Sequence, residues 1–260
     1  MKSGFWIFIA AGLALGGSWC GFVLAPVQQL GGAKQTTVLN STDTYPLQRA
    51  GDATLGLQVY RANGCAACHT EQVRQTGIAC DMALTAAGNN PEAMTNLISS
   101  LKLSGLTKED ADKAVGKVTV AGGKAEIHIL ATGPDITRGW GMRRSVAEDY
   151  LYDQPLQLGS LRAGPDLANI GVRAPDANWQ LVHLYAPRAV VPGSAMPPFR
   201  YLFEIRKAGA APAPEALQLP REFAPPDGFQ VVPTPEAKQL AAYLLSLRAT
   251  APLYSAPVSP

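Results

Sequence analysis

The hydrophobic positions of this chain begin with one uninterrupted run at the N-terminus. Residues 4–24 include no charged side chain, and about twenty apolar residues are what a membrane-spanning helix needs. Lys2 before the run favours an N-terminus in the cytoplasm. A cleaved signal peptide is the alternative, but Pro26 directly follows the small-residue site 23–25 and disfavours cleavage. We therefore expect residues 1–27 to be an uncleaved anchor that places the remaining chain outside the cytoplasm.

The residues after the anchor are polar and rich in glycine and threonine, which predicts a tether over residues 28–50. Helical periodicity begins next and continues to the first cysteine of a close pair, Cys65. The apolar residues on one face of this helix are Leu55, Val59 and Ala62. Near the C-terminus, Thr234 and Pro235 form a helix start signal. The apolar stripe of that last helix is Ala237, Leu240, Ala241, Leu244 and Leu247. Residues 249–260 are expected to be a loose tail.

Residues 75–137 are predicted to form a separate, small α+β unit. Asn90-Pro91 signals the start of a first helix. The apolar face of that helix is Met94, Leu97, Ile98 and Leu101. Thr107 begins a capping-box pattern for a short second helix, which is predicted to end at Gly116.

Alternating apolar and polar residues predict a hairpin at the end of this unit. Its strands are expected over residues 117–121 and 124–130, on either side of Gly122-Gly123. His128 lies between two isoleucines of the second strand, so it is expected to face solvent. We interpret the whole unit as an added docking or protective module.

Charge and cysteine usage narrow the possible functions. The 260 residues include 22 basic and 20 acidic ones, and this near-balance gives no electrostatic reason to expect nucleic acid as a partner. The four cysteines do not form the pattern of a disulfide-rich secreted domain. Cys20 lies in the anchor, Cys80 stands alone, and Cys65 and Cys68 belong to one motif.

The strongest chemical signal is Cys65-Ala-Ala-Cys68-His69, the attachment pattern of c-type haem. Two thiols three positions apart can reach the two vinyl groups on one edge of the porphyrin and form thioethers. The next residue, His69, then lies under the iron and supplies an axial nitrogen. We therefore expect one covalent haem c.

Two other kinds of site use similar residues. A thioredoxin-type redox pair is expected in a βαβ context, whereas this motif follows a helix. A zinc site formed by Cys65, Cys68, His69 and Cys80 is stereochemically awkward, because the adjacent residues Cys68 and His69 rarely ligate one metal together. Motif and context together favour haem.

A second axial ligand would make the iron a pure electron carrier, and Met196 is the best candidate. It lies in a proline-stiffened loop, residues 191–198, which can hold a thioether over the iron. Methionine–histidine ligation raises the reduction potential; a methionine that fills a gap in the core is the alternative. The other candidates are Met82, Met94, Met142, His128 and His183. Of these, Met94 is assigned to core packing, and His183 is interpreted as a structural or interface histidine.

The loop around Pro165 is expected to orient His69, because a backbone carbonyl there can accept the other ring N–H of the imidazole. Four arginines lie close to these loops in the sequence: Arg143, Arg144, Arg162 and Arg188. Pairing with haem propionates and exposure towards a partner subunit are equally supported for each of them.

Five strings downstream of the motif follow the same order as in one known family. They are Arg144-Ser-Val-Ala-Glu148, Tyr152-Asp-Gln-Pro155, Gly159-Ser-Leu-Arg-Ala-Gly-Pro-Asp-Leu-Ala-Asn-Ile-Gly171, His183-Leu-Tyr-Ala-Pro-Arg188 and Val191-Pro-Gly-Ser-Ala-Met-Pro-Pro198. With the anchor, the Cys65–His69 motif and the last helix, they resemble the mono-haem subunit II (CcoO/FixO) of cbb-type (C-family) cytochrome c oxidases. The resemblance covers the anchor, residues 51–74 and residues 138–248.

This resemblance implies a mainly α protein: an N-terminal transmembrane helix and a class I cytochrome c fold, here with a small α+β insertion. It implies His69 and Met196 as axial ligands. It also implies a single-pass subunit of the inner membrane, with its cytochrome domain on the periplasmic side. Such a subunit is not itself catalytic. It relays electrons from a di-haem cytochrome c subunit to the haem–copper catalytic subunit.

The chain also departs from the family pattern. Gln154 stands where histidine is expected, Ala163 where threonine is usual, and Ala186 where asparagine or aspartate is usual; the insertion 75–137 is absent from the typical subunit. Two other functions stay open. One is the haem c subunit of a nitric oxide reductase-like complex, which the strings beginning at Arg144 and Tyr152 disfavour. The other is a membrane-tethered redox sensor that works without an oxidase.

Overall fold

The computed structural model describes residues 3–37 and 44–251, and its first element is a long apolar helix. The helix comprises α1 (Ser3–Trp19), a π-helical turn (Cys20–Leu24) and α2 (Ala25–Leu30). In the described chain it is the one helix long and apolar enough to cross a membrane, with 27 residues from Gly4 to Leu30. At about 1.5 Å per residue it extends about 40 Å, whereas the hydrocarbon core of a bilayer is about 30 Å thick. Lys2, on which the predicted orientation rests, lies outside the described residues.

The π-helical turn has a local cause. Pro26 carries no N–H, so the regular ladder of hydrogen bonds is interrupted there. The N–H of Ala25 bonds to the carbonyl of Cys20, one residue further back than in an α-helix. The helix continues beyond this irregularity to Leu30, three residues past the predicted end of the anchor.

Two compact units are distinguished by their internal contacts. The first comprises Met1–Gln48 with Val146–Gln154, and the second comprises Arg49–Ser145 with Pro155–Pro260. The predicted insertion is thus part of the second unit by this criterion. The boundaries predicted for the tether, the insertion and the tail remain predictions, and the tail lies outside the described residues from position 252 onward.

In the first unit, a short strand pair follows the apolar helix. The strands are β1 (Thr36–Thr37) and β2 (Thr44–Tyr45), paired antiparallel. Tyr45 is buried, and its hydroxyl donates to Asp149 Oδ1 at 2.9 Å. Asp149 lies in a 3₁₀ turn, Ala147–Tyr150, and its other carboxylate oxygen accepts the N–H of Val146 at 2.8 Å. One carboxylate therefore fixes both the start of the turn and the buried tyrosine.

Helix α3 (Asp52–Ala62) packs against the last helix, α10 (Pro235–Ser246), in the core of the second unit. Gly56 permits their close approach, since a Cβ atom there would lie 1.9 Å from the carbonyl oxygen of Gln239. One turn further along α3, Tyr60 packs against Tyr243 with ring centroids 5.1 Å apart. This contact sets the position of the residues that follow α3.

The predicted apolar face of the last helix is confirmed, whereas that of α3 is wrong. The residues predicted for α10 are all buried: Ala237, Leu240, Ala241, Leu244 and Leu247. The hydroxyl of Thr234 accepts the N–H of Ala237 at 3.4 Å, which caps the helix. In α3, by contrast, Gly56 and Tyr60 are buried, and Leu55 is 44% exposed. The reason is that α10 packs closely against the side of α3 that carries Gly56.

Four further helices and one strand pair surround this core. They are α6 (Pro134–Thr137), α7 (Ile170–Arg173), α8 (Ala177–Tyr185), α9 (Pro187–Val190), and the antiparallel strands β5 (Phe203–Lys207) and β6 (Phe229–Pro233). Apolar side chains of α7, α8, α9, β5 and β6 join those of α3 and α10 in one cluster, the main core, which includes Tyr60, Leu184, Phe203, Val231 and Leu240. As expected, the described chain is mainly helical with small two-stranded sheets.

The inserted segment has the order strand, helix, helix, strand. Its elements are β3 (Gly77–Ala86), α4 (Pro91–Ser99), α5 (Lys108–Val120) and β4 (Lys124–Thr132), with β3 and β4 antiparallel. Two small apolar clusters hold them together; one is built around Met82 and Met94, the other around Cys80 and Leu106. Both predicted helix starts are confirmed, because the side chains of Asn90 and Thr107 cap α4 and α5.

The predicted hairpin around Gly122-Gly123 is wrong. Residues 117–120 continue α5 beyond Gly116, the predicted end of the helix. Val118 is fully buried while Val120 is 90% exposed, so a helical stripe resembles strand alternation over this short stretch. The N–H groups of Gly122 and Gly123 bond back to carbonyls of α5 and close the helix. The predicted second strand is confirmed as part of β4, but its partner is β3.

Candidate functional site

The predicted attachment motif lies directly after α3. Gly64 adopts the left-handed conformation (φ 66°) that glycine favours, and the chain turns into a 3₁₀ helix, Cys65–Ala67. The N–H groups of Cys68 and His69 both donate to the Cys65 carbonyl, at 3.1 and 3.0 Å. A single turn therefore presents both thiols and the imidazole.

The two thiols of the motif are free but differ in exposure. Cys68 is exposed, whereas Cys65 is half-buried against the main core. Burial raises the pKa of the Cys65 thiol to about 12, and the negative charge of Glu71 adds to this effect. Cys65 is therefore a neutral thiol at physiological pH, and both sulfur atoms are available for thioether formation.

His69 is held by the loop that was expected to orient it. Its Nδ1 lies 2.8 Å from the carbonyl oxygen of Pro165, so the tautomer that donates from Nδ1 is favoured and Nε2 is left for a metal. Gly164 packs directly on the ring, because a Cβ atom there would lie 2.2 Å from His69 Cε1. Only glycine fits at position 164 without displacing the imidazole.

Residues 158–167, which we call the histidine loop, run alongside the motif. Four backbone hydrogen bonds of 2.7–3.4 Å join the two segments: Ser160 to Ala66, Gly164 to Cys68, Leu167 to Thr70, and Glu71 to Leu158. The Pro165 carbonyl therefore comes from a segment fixed on both sides of His69, and the orientation of the imidazole is built into the backbone.

Met196 lies half-buried in the proline-rich loop. It packs against the main core, which Cys65 also contacts. Ser194 shapes this loop, since its hydroxyl accepts the N–H of Met196 at 3.3 Å and its carbonyl accepts Nε–H of Arg188 at 3.1 Å. Met196 and the first cysteine of the motif thus border the same core.

Three of the other candidate ligands belong to the inserted segment. Met82 and Met94 are buried in its apolar cluster, and His128 is exposed on β4, as predicted. Core packing of Met94 is therefore confirmed. Met142 is 56% exposed. These positions favour Met196 over the other methionines.

His183 stacks on Trp179 with ring centroids 4.9 Å apart and nearly parallel planes. Burial lowers its pKa to about 4, and proximity to His69 contributes in the same direction. Its Nδ1 is buried, with no hydrogen-bond partner among residues 3–37 and 44–251. His183 is therefore a neutral histidine near the motif with an unused polar atom.

Comparison with known families identifies part of this arrangement. Residues 132–225 match the model of the family described as "Cytochrome C oxidase, mono-heme subunit/FixO". This segment is similar to the FixO family. The match supports the expected resemblance to a CcoO/FixO-type subunit. The chain has no match among curated proteins.

The FixO segment, residues 132–225, begins at the last residue of β4. It contains Pro165 and Met196, and it excludes the elements of the inserted segment before Thr132. The motif at Cys65–His69 precedes it in the chain. The contact between His69 and Pro165 thus joins the motif to the family segment.

The residues present fit the haem that the family's description names. Free thiols three positions apart are followed by an imidazole whose Nδ1 is already engaged. Cys80, which the alternative zinc site would need as a ligand, is buried in an apolar cluster of the inserted segment.

Sequence reasoning missed a buried carboxylate two residues after His69. Glu71 is 3% exposed, and the hydroxyl of Tyr243 lies 2.9 Å from both of its carboxylate oxygens. Burial, followed by the charge of Glu71, raises the pKa of both Tyr243 and Tyr60. The guanidinium of Arg49 lies over the Tyr243 ring at 5.3 Å. A charged residue after a haem motif carries no sequence signal of burial, so only the fold reveals this group.

Of the four arginines, Arg162 has a role other than the two that were predicted, pairing with a haem propionate or exposure towards a partner subunit. It forms ion pairs with Asp135 and Asp166, and its side chain is 18% exposed. Arg143 is buried and donates to the carbonyl of Arg144 at 2.9 Å. Arg162 is thus committed to the interior of the protein rather than to a propionate or a partner surface.

Proposed function

We propose that this chain is the electron-transfer subunit of a cbb-type cytochrome c oxidase. One haem c is attached through Cys65 and Cys68, with His69 and Met196 as axial ligands. The observation that carries this proposal is the 2.8 Å contact between His69 Nδ1 and the carbonyl of Pro165, which links the attachment motif to the FixO segment.

The chain's own residues bind, orient and tune this group. Bound haem supplies a one-electron couple, and a methionine ligand raises its potential. The Pro165 carbonyl fixes the imidazole of His69 and increases its basicity. Gly164 keeps the ring in place. We assign residues 51–74 and 138–248 to a class I cytochrome c fold; the packing of α3 on α10 and the adjacent haem motif support this assignment.

We assign the chain to the inner membrane as a single-pass subunit, with the cytochrome domain on the periplasmic side. The apolar helix Gly4–Leu30 supports anchoring. The family's description supports oxidase partners. We propose the specific ones: a di-haem cytochrome c subunit as donor and the haem–copper catalytic subunit as acceptor.

Gentle solubilisation of membranes, followed by purification through this chain, tests the proposal. The expected result is a haem-stained band at its mass on a denaturing gel, with a haem–copper subunit and a di-haem cytochrome c in the same preparation. Co-purification with a nitric oxide reductase subunit would favour that alternative. A chain that purifies without membrane subunits would favour the redox sensor.

Substitution of Met196 tests the sixth ligand. Met196→Ala is expected to keep the covalent haem but to lower its reduction potential or make it high-spin, because the thioether no longer binds the iron. Met142→Ala, at an exposed methionine, is the matched control. An unchanged absorption spectrum and potential in Met196→Ala would eliminate Met196 as a ligand.

A further inference from the structure

Buried polar side chains join the two ends of the His69–Pro165 contact. Thr70 follows His69 and Asp166 follows Pro165, and the hydroxyl of Thr70 donates to Asp166 Oδ2 at 2.5 Å. The same oxygen accepts the N–H of Gln72 at 2.9 Å, and Asp166 is fully buried. Thr70 and Asp166, the residues that directly follow His69 and Pro165, are therefore hydrogen-bonded to each other.

Arg162 closes this arrangement. Its Nε donates to the hydroxyl of Thr70 at 2.9 Å. Its Nη2 donates to the carbonyl of Gln72 at 2.5 Å and lies 3.3 Å from Asp166 Oδ2. The guanidinium also lies over the ring of Trp140 at 5.1 Å. Because the guanidinium is planar and rigid, it holds these acceptors in a fixed relation.

The second carboxylate on Arg162 comes from Asp135. Arg162 Nη1 lies 2.9 Å from both carboxylate oxygens of Asp135. Asp135 also accepts the N–H of Arg74 at 2.8 Å and is 4% exposed. The sequence places Asp135 in the insertion 75–137, but its contacts belong to the surroundings of His69.

We propose that Thr70, Arg162, Asp135 and Asp166 are positioning residues for His69, and we call them the histidine bracket. They hold the Pro165 carbonyl against Nδ1 and thereby lower the haem's reduction potential. This inference rests on the proposed haem ligation. A firm hydrogen bond from Nδ1–H makes the imidazole more basic, which stabilises oxidised iron. Loosening the bracket weakens that bond and raises the potential.

A charge-neutral substitution separates positioning from simple electrostatics. Thr70→Val removes the hydroxyl and leaves every charge in place, while Thr70→Ser retains the hydroxyl. Thr119→Val is the control, because Thr119 is an exposed threonine of α5 whose hydroxyl bonds only locally, to the Val115 carbonyl. The full-length holoprotein is studied in detergent. Redox titration gives the midpoint potential, and proton NMR gives the rate at which His69 Nδ1–H exchanges with solvent.

Thr70→Val is expected to raise the midpoint potential and to accelerate exchange of the His69 ring proton, while Thr70→Ser and Thr119→Val behave as the wild type. An unchanged or lower potential in Thr70→Val overturns the proposal. Asp135→Asn is a second variant, for the case that the Thr70→Val protein does not accumulate. If the His69 ring proton of Asp135→Asn exchanges at the wild-type rate, the proposal is also overturned. A wild-type chain without covalent haem contradicts the proposed function instead, so the two failures are distinguishable.

Discussion

The surroundings of His69 and the inserted segment 77–132 are held together by different interactions. Around His69, fully or largely buried charged groups such as Asp166 and Arg162 join segments far apart in sequence. In the inserted segment, small apolar clusters and local helix caps supply the structure, and the ion pair Lys108–Asp112 is exposed. We infer that the geometry of the motif depends on long-range polar bonds, whereas the insertion depends on its own local packing.

Two deletions give the largest expected effect and test where the insertion ends. Removing residues 77–132 joins Thr76 to Gly133, which are already close, since a Cβ atom on Gly133 would lie 3.0 Å from the Thr76 nitrogen. This deletion keeps Asp135, so we expect covalent haem to be retained. Removing residues 75–137 takes Asp135 away and leaves Arg162 with one carboxylate. We expect that deletion to lose most of the holo-cytochrome.

Haem staining of equal amounts of protein measures both deletions. Full haem content in both deletions would show that Asp135 is dispensable for attachment. Loss of haem in both would show that the inserted segment is part of the core fold.

A core substitution in the inserted segment tests whether that segment packs independently of the surroundings of His69. Met94 is 1% exposed, and Met94→Ala is expected to cost about 2–5 kcal/mol of local stability, because it leaves a cavity. Hydrogen exchange should rise over residues 77–132 and stay unchanged over the histidine loop, 158–167. The exposed Met142→Ala is the control. A comparable rise in exchange in the histidine loop would contradict independent packing of the two regions.

The pH dependence of the free energy of unfolding compares His183, which is half-buried in the main domain, with His128, which is exposed in the inserted segment. Burial lowers the pKa of His183 to about 4, whereas a histidine in the unfolded chain has a pKa of about 6.5. Between these values the unfolded state binds more protons, so stability falls as the pH is lowered through this window, by at most about 3 kcal/mol. Denaturant titrations from pH 4 to 7 measure the slope. His183→Gln should reduce the slope, while His128→Gln, at an exposed site, should leave it unchanged. An equal slope in all three proteins would be inconsistent with a half-buried, neutral His183.

The smallest expected effect concerns a helix cap of the insertion. The hydroxyl of Thr107 accepts the N–H of Asp110 at 3.2 Å, and Thr107→Ala should cost about 1 kcal/mol. Thr119→Ala, on the same helix, is the control and should cost less. Thermal unfolding of the holoprotein detects the difference, with no change in the haem spectrum. A shift in that spectrum would show that α5 is coupled to the motif.

Features encoded in nearby residues could be predicted from the sequence. Thr234 and Pro235 mark the start of α10, and Asn90 marks that of α4, because caps need only local hydrogen bonds. The contact of His69 with a carbonyl near Pro165 was also accessible, since the chemistry of an axial histidine demands such an acceptor.

Features that depend on distant segments could not be predicted. The stretch before Gly122 alternates like a strand but is helical, because Ala111, Ala114 and Val118 are buried as a stripe. Strand β3 is rich in alanine and gave no strand signal. Asp166 and Arg162 look like ordinary surface charges in the sequence, and only the approach of Thr70 makes them buried partners.

The proposed function requires a covalent haem at Cys65 and Cys68. Mass spectrometry of the protease-derived peptide containing both cysteines tests it most directly, after the protein has been denatured and the free haem extracted. We expect this peptide to be heavier by the mass of one haem, and we expect the gain to be lost in the double variant Cys65→Ala/Cys68→Ala. A wild-type peptide at its unmodified mass would contradict covalent attachment of haem.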